Sequence, residues 1–359
     1  MKHIKIAVLN LGIAAFLAAG LISCERDSES VVPETPGAFD NGVFVCNEGP
    51  FQSGTGTVSF ISRSTGIIYN DLFKTSNNLP LGNIVQSMTI FKGKAYIIVN
   101  NANRVEIVDI KTFKSVGFIE GLTLPRFFIG IAEGKAYVSC WDNKVAVLDL
   151  SSNTISARIN VGTGPERMLK TGNLVFVANQ GGFSIDSTIT VIDALTNKFL
   201  STLPVFSKPT GMVTDKNGKL WVLCSGKGFN GWPQPGDSEG HLLRINPADL
   251  SIEKNITFPD NSNHPDKLAI NESGDVLYYI YKEGVYSFQI ESETLRTSAL
   301  ISRSGYCYAL DYDITAKCIY LSDPLDYVQN GWVFRYNPLT GKVIDSLKAG
   351  IIPTFFTFN

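Results

Sequence analysis

Only three histidines occur in the chain, His3, His241 and His264, and they are scattered rather than clustered. A hydrolytic metal centre needs several converging His, Asp or Glu ligands, and no His/Cys/acid spacing of that kind occurs. There is no Gly-x-Ser-x-Gly nucleophile elbow and no phosphate-cradling glycine loop. Gly228, Gly231 and Gly240 share one loop and speak for flexibility. His264, beside Pro265 and Asp266, is the histidine best placed to touch a ligand, its bland role being a solvated loop side chain. Six cysteines occur. Beyond Cys24 they are Cys46, Cys140, Cys224, Cys307 and Cys318, an odd set without CxxC spacing, so at least one thiol is expected to be free. Cys46, Cys140 and Cys224 each end an apolar stretch and read as small buried hydrophobes. The expectation is a protein that is not an enzyme, with no metal and no prosthetic group.

What remains is the chemistry of recognition. Phe51, Phe183, Phe229, Trp232 and Tyr327 stand in irregular polar stretches among amides such as Gln52, Asn77, Asn78, Asn179, Gln180, Asn230, Gln234 and Gln329. Rings stack and amides donate and accept, which suits a large amphiphilic ligand. A second set, Gln86, Arg126, Arg167, Lys208, Asp266 and Tyr306, recurs near prolines (Pro125, Pro165, Pro209, Pro265) and is expected to point into a common opening. The competing roles are plain: aromatics that pack their own loops, and polar groups that merely solvate a rim.

The elements that must position these groups repeat. KAYIIVNNANRVEIVDIKTFKSV (94–116), KAYVSCWDNKVAVLDLSSNTISA (135–157) and LVFVANQ…STITVIDALTNKFLS (174–201) share one order: apolar strand, polar loop, alternating strand ending in Asp, tight turn, further strand. Weaker copies occupy 219–253, 276–297 and 318–345, and a first copy spans 43–70. Seven units at roughly 40 to 55 residues, rich in Val, Ile, Tyr and Phe at period two, describe an all-β, seven-bladed β-propeller of four-stranded antiparallel blades. Nothing strand-like precedes Gly42, while Thr354–Asn359 is left over after the last copy, so the C-terminal strand is expected to complete blade one.

With strands labelled A (innermost) to D (outermost), the A–B and C–D turns fall at one end of the ring and the B–C and D–A loops at the other. The A–B and C–D turns are terse, as at Lys92-Gly93-Lys94 and Ser151-Ser152-Asn153. The long stretches 47–56, 74–84, 179–187, 225–240, 258–266 and 323–331 are all B–C or D–A loops, so recognition is expected at that end.

At the N-terminus, Lys2 and Lys5 precede an apolar run from Ile6 to Ile22, the pattern of a secretory signal. Leu21-Ile22-Ser23-Cys24 resembles the bacterial lipobox. This gives a lipoprotein signal peptide over 1–23, lipidation at Cys24, a flexible tether over 24–40 and a propeller over 41–359. Net charge is −2, near −4 without Lys2 and Lys5, and no basic stretch could track phosphates, which argues against nucleic acid. No second apolar run reaches the roughly 18 residues that a bilayer span needs, so attachment would rest on the lipid.

The repeats, together with Cys46-Asn47-Glu48-Gly49, Gln86-Ser87-Met88, Pro125-Arg126, Gly164-Pro165-Glu166 and Leu220-Trp221-Val222-Leu223-Cys224-Ser225-Gly226, resemble the YncE-like surface-layer propellers. Within them they resemble a Bacteroidetes lipoprotein family that includes the BtuG-type cobalamin-binding surface proteins. The resemblance implies capture of cobalamin at the outer membrane, facing the cell exterior, and delivery to a TonB-dependent transporter of the BtuB type. Glu25, Asp27 and Glu29 are similar to surface-export signals of that phylum. No corrin-contact motif carries over residue by residue, so the candidate site rests on the loop-end residues above. A surface module for a glycan or partner protein, and a lactonase- or lyase-type propeller enzyme, are the alternatives.

Overall fold

The computed structural model describes residues 39–51, 53–231 and 233–359. The expected signal peptide, the lipidation site Cys24 and most of the expected tether lie outside the described residues. Seven four-stranded antiparallel sheets follow one another. The inner strand of each touches the inner strand of the next, and Pro353–Phe358 touches Val85–Phe91 to close the ring.

The strand pattern follows from position within a blade. The second and third strands are sandwiched between neighbouring blades, so both of their faces must be apolar. Lys94–Val99 and Arg104–Asp109 are accordingly buried at nearly every position. Outermost strands such as Thr154–Asn160 keep only Ile159 fully buried. The core is therefore seven separate inter-blade layers rather than one central mass. Burying each Val, Ile, Leu or Phe in them contributes about 1.5–3 kcal/mol.

Closure runs as the leftover C-terminal segment implies. Pro353–Phe358 pairs antiparallel with Gly42–Asn47, placing Val45 opposite Phe356 and Cys46 opposite Phe355. Arg63 locks the joint with a bidentate pair to Asp313 (2.8 and 3.1 Å) and a bond to the Asn359 carbonyl (2.6 Å).

Three features depart from the sequence reading. The tether does not extend to residue 40. Phe39 is 1% exposed and packs against Phe44, Phe60 and Phe113, because one aromatic in a polar stretch fills the gap between blades one and two. A short helix, Leu72–Asn77, stands where blade one has an outer strand of only two residues, Ile68–Tyr69. Fewer than two helical turns leave no period to detect. Finally, part of the 74–84 connection runs to the opposite end. Asn77 donates to the Phe113 carbonyl (3.0 Å) and accepts from the Ser115 amide (2.8 Å), at the C–D turn of blade two, so it cannot serve the loop end.

Candidate ligand-binding face

The inner strands begin in a repeated way. Pro125, Pro165, Pro209 and Pro353 each stand first in an inner strand, where a missing N–H costs no ladder bond. The residue before each has positive φ (Leu124 47°, Gly164 54°, Lys208 55°, Ile352 57°). Immediately after, the register slips by a bulge, as between Pro125 and Phe128, Pro165 and Met168, and Pro209 and Gly211. Such a bulge re-aims side chains. Here it turns Gln86, Arg126, Phe127, Glu166, Arg167 and Thr210 toward the channel mouth, where Asp266, Thr354 and Phe355 join them.

The mouth encloses about 90 Å³, roughly three water volumes at about 30 Å³ each. One side group of a ligand can enter it; a ring system cannot. Its two arginines differ in state. Arg126 is fully engaged: Nε donates to Glu166 Oε1 (2.8 Å), another guanidinium nitrogen donates to Gln86 Oε1, and the Trp141 ring lies 4.2 Å from its central carbon. Trp141 Nε1 also donates to Glu166 Oε1 (2.8 Å). Arg167 instead lies between the rings of Phe127 (4.4 Å) and Phe355 (4.7 Å). Among the described residues no acid comes within 4.0 Å of its guanidinium, the limit of an ion pair, and none accepts a hydrogen bond from it. Burial lowers its pKa, partly offset by Asp311, Glu166 and Asp266. Burial likewise raises Asp311 to about 6, against the lowering effects of the Tyr312 amide and Arg167. The set can hold an anionic or carbonyl-bearing group on Arg167 and shift its local charge with pH.

Beside the mouth a wider hollow of about 720 Å³ opens, lined by Asn230, Asn263, Lys282, Glu283, Tyr306 and Cys307 and sharing Asp266 with the mouth. The B–C turn of blade six beside it is only Lys282-Glu283, against the long B–C loops of blades five and seven on either side. Its volume lies in the usual ligand-pocket range of about 300–1,000 Å³.

The aromatics of the loops stand around this ground. Phe51, Phe183, Phe229 and Tyr327 all lie in B–C loops, of blades one, four, five and seven, and hence at one end of the ring. All four are exposed, Phe183 to 88%. Phe183 meets Trp141 edge-on (5.0 Å), and Tyr327 meets Tyr306 (5.7 Å) and Tyr308 (5.8 Å). Trp232 lies outside the described residues.

Three expected site residues sit differently. Lys208 is not in the mouth: its Nζ donates to the Gly228 carbonyl (3.1 Å) and lies 5.1 Å from the Phe229 ring, under the 225–240 loop. It precedes its proline whereas Arg126 follows one, so the bulge presents Thr210 instead. Tyr306 belongs to the exposed face and the hollow, not to the channel ring. His264 is buried beneath the same loop, its amide donating to Asn230 Oδ1 (2.5 Å) and its Nδ1 meeting the Ser225 carbonyl (3.0 Å). It anchors the loop and does not face outward. Sequence reasoning missed Phe127, Phe355, Trp141, Glu166, Tyr308 and Asp311. A signal existed for two of them: Phe127 and Phe355 each stand two places after an inner-strand proline.

The chain is thus a seven-bladed propeller with a recessed arginine and an aromatic rim at one end. The chain belongs to the family described as Domain of unknown function (DUF5074), which matches residues 41–344. No curated protein matches it. Among solved structures it is similar to a quinonprotein alcohol dehydrogenase-like protein from Bacteroides thetaiotaomicron, at 18% identity and a TM-score of 0.66, over 89% of this chain and 78% of that one. It is also similar to hydrazine synthase from Kuenenia stuttgartiensis, at 14% identity and a TM-score of 0.60, over 75% of this chain and 88% of that one. Likeness at this level of identity concerns the fold.

Proposed function

We propose that this propeller is a non-catalytic capture protein that binds a corrinoid of the cobalamin class on its loop end. In this reading it is lipid-anchored at the outer membrane through Cys24, faces the exterior, and passes its cargo to a TonB-dependent transporter. The observation that carries the binding reading is that the channel mouth and the 720 Å³ hollow lie side by side, both lined by Asp266, on the end that bears the exposed aromatics. A bulky ring with peripheral amides suits the hollow and its Asn230, Asn263 and Tyr306. A phosphodiester suits the small mouth, where Arg167 makes no ion pair among the described residues and is held only between two rings. The choice of a corrinoid among amphiphilic ligands rests on the family resemblance of the repeat and loop motifs.

Calorimetric titration of the purified protein with cyanocobalamin tests it. Saturable binding at micromolar concentration or tighter, weakened at least tenfold by Arg167→Gln, is the expected result. No heat and no affinity at that concentration would remove the corrinoid reading.

A further inference from the structure

The chain enters the ring at the end opposite the long loops. Gly42 starts the second strand of blade one, and its amide donates to the carbonyl of Asn359 (3.4 Å) while its carbonyl accepts from the Asn359 amide (3.0 Å). Asn359 stands just past the inner strand of the same blade, so this junction occupies the place of an A–B turn. The chain that precedes Phe39 therefore meets the ring at its turn end. Fourteen residues, 25–38, separate Phe39 from Cys24. Fully extended they reach about 50 Å at most, so an anchor at Cys24 would hold the ring close to the bilayer, attached by its turn end.

The surface around the entry point is aliphatic on one side and basic on the other. The C–D turn of blade one holds Arg63 and Ile67, and the Asp313 that pairs with Arg63 stands next to Ile314 in the A–B turn of blade seven. Leu339, in the C–D turn of blade seven, and Val343 just beyond it complete the group. All four aliphatics are at least half exposed and lie outside the inter-blade layers. On the other side Phe39 packs against Phe113 in the C–D turn of blade two (6.0 Å), between Lys111 and Lys114. With Lys92 and Lys94 of the A–B turn, blade two sets four lysines against one carboxylate, Asp109. None of the four makes an ion pair among the described residues. Asp109 Oδ1 already accepts from the amides of Lys111 (3.1 Å) and Thr112 (3.0 Å), and in blade seven Asp345 is paired with Arg335.

We infer that the turn end of blades seven, one and two rests on a membrane surface bearing anionic headgroups, an inference that depends on the anchoring proposed above and not on the corrinoid. Lysines are drawn to such a surface within a Debye length of it, and exposed aliphatics then enter the interfacial layer. Blade six limits the face, since its turns carry the exposed Glu272, Glu291 and Glu293. The ring accordingly leans toward blades one and two, with the loop end turned to the medium.

The test sediments residues 25–359, which keep the whole ring and lack signal and lipid, with vesicles of phosphatidylcholine containing about 30% phosphatidylglycerol. Binding is expected to these vesicles and not to pure phosphatidylcholine, and should vanish in about 1 M salt. Lys92→Glu with Lys111→Glu should lower the affinity about tenfold, and Leu339→Ser should lower it further. Lys170→Glu with Lys198→Glu makes the same charge change at the turn end of blade four, across the ring, and should leave the affinity nearly unchanged. Equal losses from the two pairs, or no binding to the anionic vesicles, would overturn the inference. So would a dimer in solution that Leu339→Ser dissociates, which would give the face to a second copy of the chain. Lipidation is read separately, from the mass of the N-terminal peptide of protein recovered from cells with its own signal. An unmodified Cys24 would remove the anchor and leave the vesicle result standing.

Discussion

The phenyl ring of Phe355, in the last strand of the chain, lies 4.7 Å from the guanidinium of Arg167 in the inner strand of blade four. The strand that closes the ring therefore also completes the channel mouth. Its two faces separate those roles, since Phe356 is buried against Tyr320 while Phe355 looks into the opening. Phe355→Ala should remove one cation–π contact, about 0.5–2 kcal/mol, and weaken binding of an anionic ligand by about twofold to thirtyfold with little change in melting temperature. Phe356→Ala should instead cost about 3–5 kcal/mol of stability. Calorimetric titration and thermal melts of both variants check the division; equal melting temperatures would refute it.

Removing residues 353–359 tests closure itself. The deletion bares the inner, channel-side edge of Gly42–Asn47 and takes away the Asn359 carbonyl that accepts from Arg63. An open edge templates association. The expected outcome is a lowered transition for the whole ring, with oligomers on size-exclusion chromatography. A truncated protein that melts like the parent and stays monomeric would show that blade one stands on three strands.

The ring, its closure and the end that carries most of the loops were legible in the sequence, because packing blade against blade forces the same short, apolar middle strands to recur in every unit. The mouth was legible only in part. Arg126 and Arg167 announce themselves beside prolines, yet which arginine is engaged depends on Glu166 and Gln86 arriving from neighbouring blades, information that no single repeat carries. Lys208 illustrates the cost of a one-residue offset: a bulge sends the residue after the proline into the mouth and leaves the one before it under a loop. The 720 Å³ hollow leaves no sequence signal of its own, because a two-residue turn, Lys282-Glu283, borders it and such turns look alike whether or not space opens beside them.

Asp311 gives the mouth a pH dependence. Burial raises its carboxyl from 3.8 to about 6. Between those values the folded chain holds a proton that the unfolded chain has released, so this group's contribution to stability falls as pH rises from about 4 to about 6 and is level above. Binding moves with it. Arg167 is faced by Asp311, Glu166, Asp266 and Arg126, and Asp311 by Arg167 and Asp313. Neutralising Asp311 leaves less negative charge against Arg167. Sulfate, fully charged throughout, should bind more tightly at pH 5 than at pH 7.5. Asp311→Asn should flatten that difference; a variant that keeps the full dependence would assign it to another group.

Phe39 sets the start of the folded unit. Its ring lies 5.1 Å from Phe60 and 6.0 Å from both Phe44 and Phe113, and its carbonyl accepts from Asn359 Nδ2 at 2.6 Å. A side chain held this way is core, although it follows a stretch whose composition is that of a linker. Phe39→Ala should cost about 3–5 kcal/mol, the range for a buried phenylalanine. Phe183→Ala, at an exposed loop position, should change stability by no more than about 0.5 kcal/mol while weakening ligand binding. Urea denaturation of the two variants side by side measures the contrast. If Phe39→Ala unfolds at the same urea concentration as the parent, the folded unit begins after it, and the tether reaches the first strand.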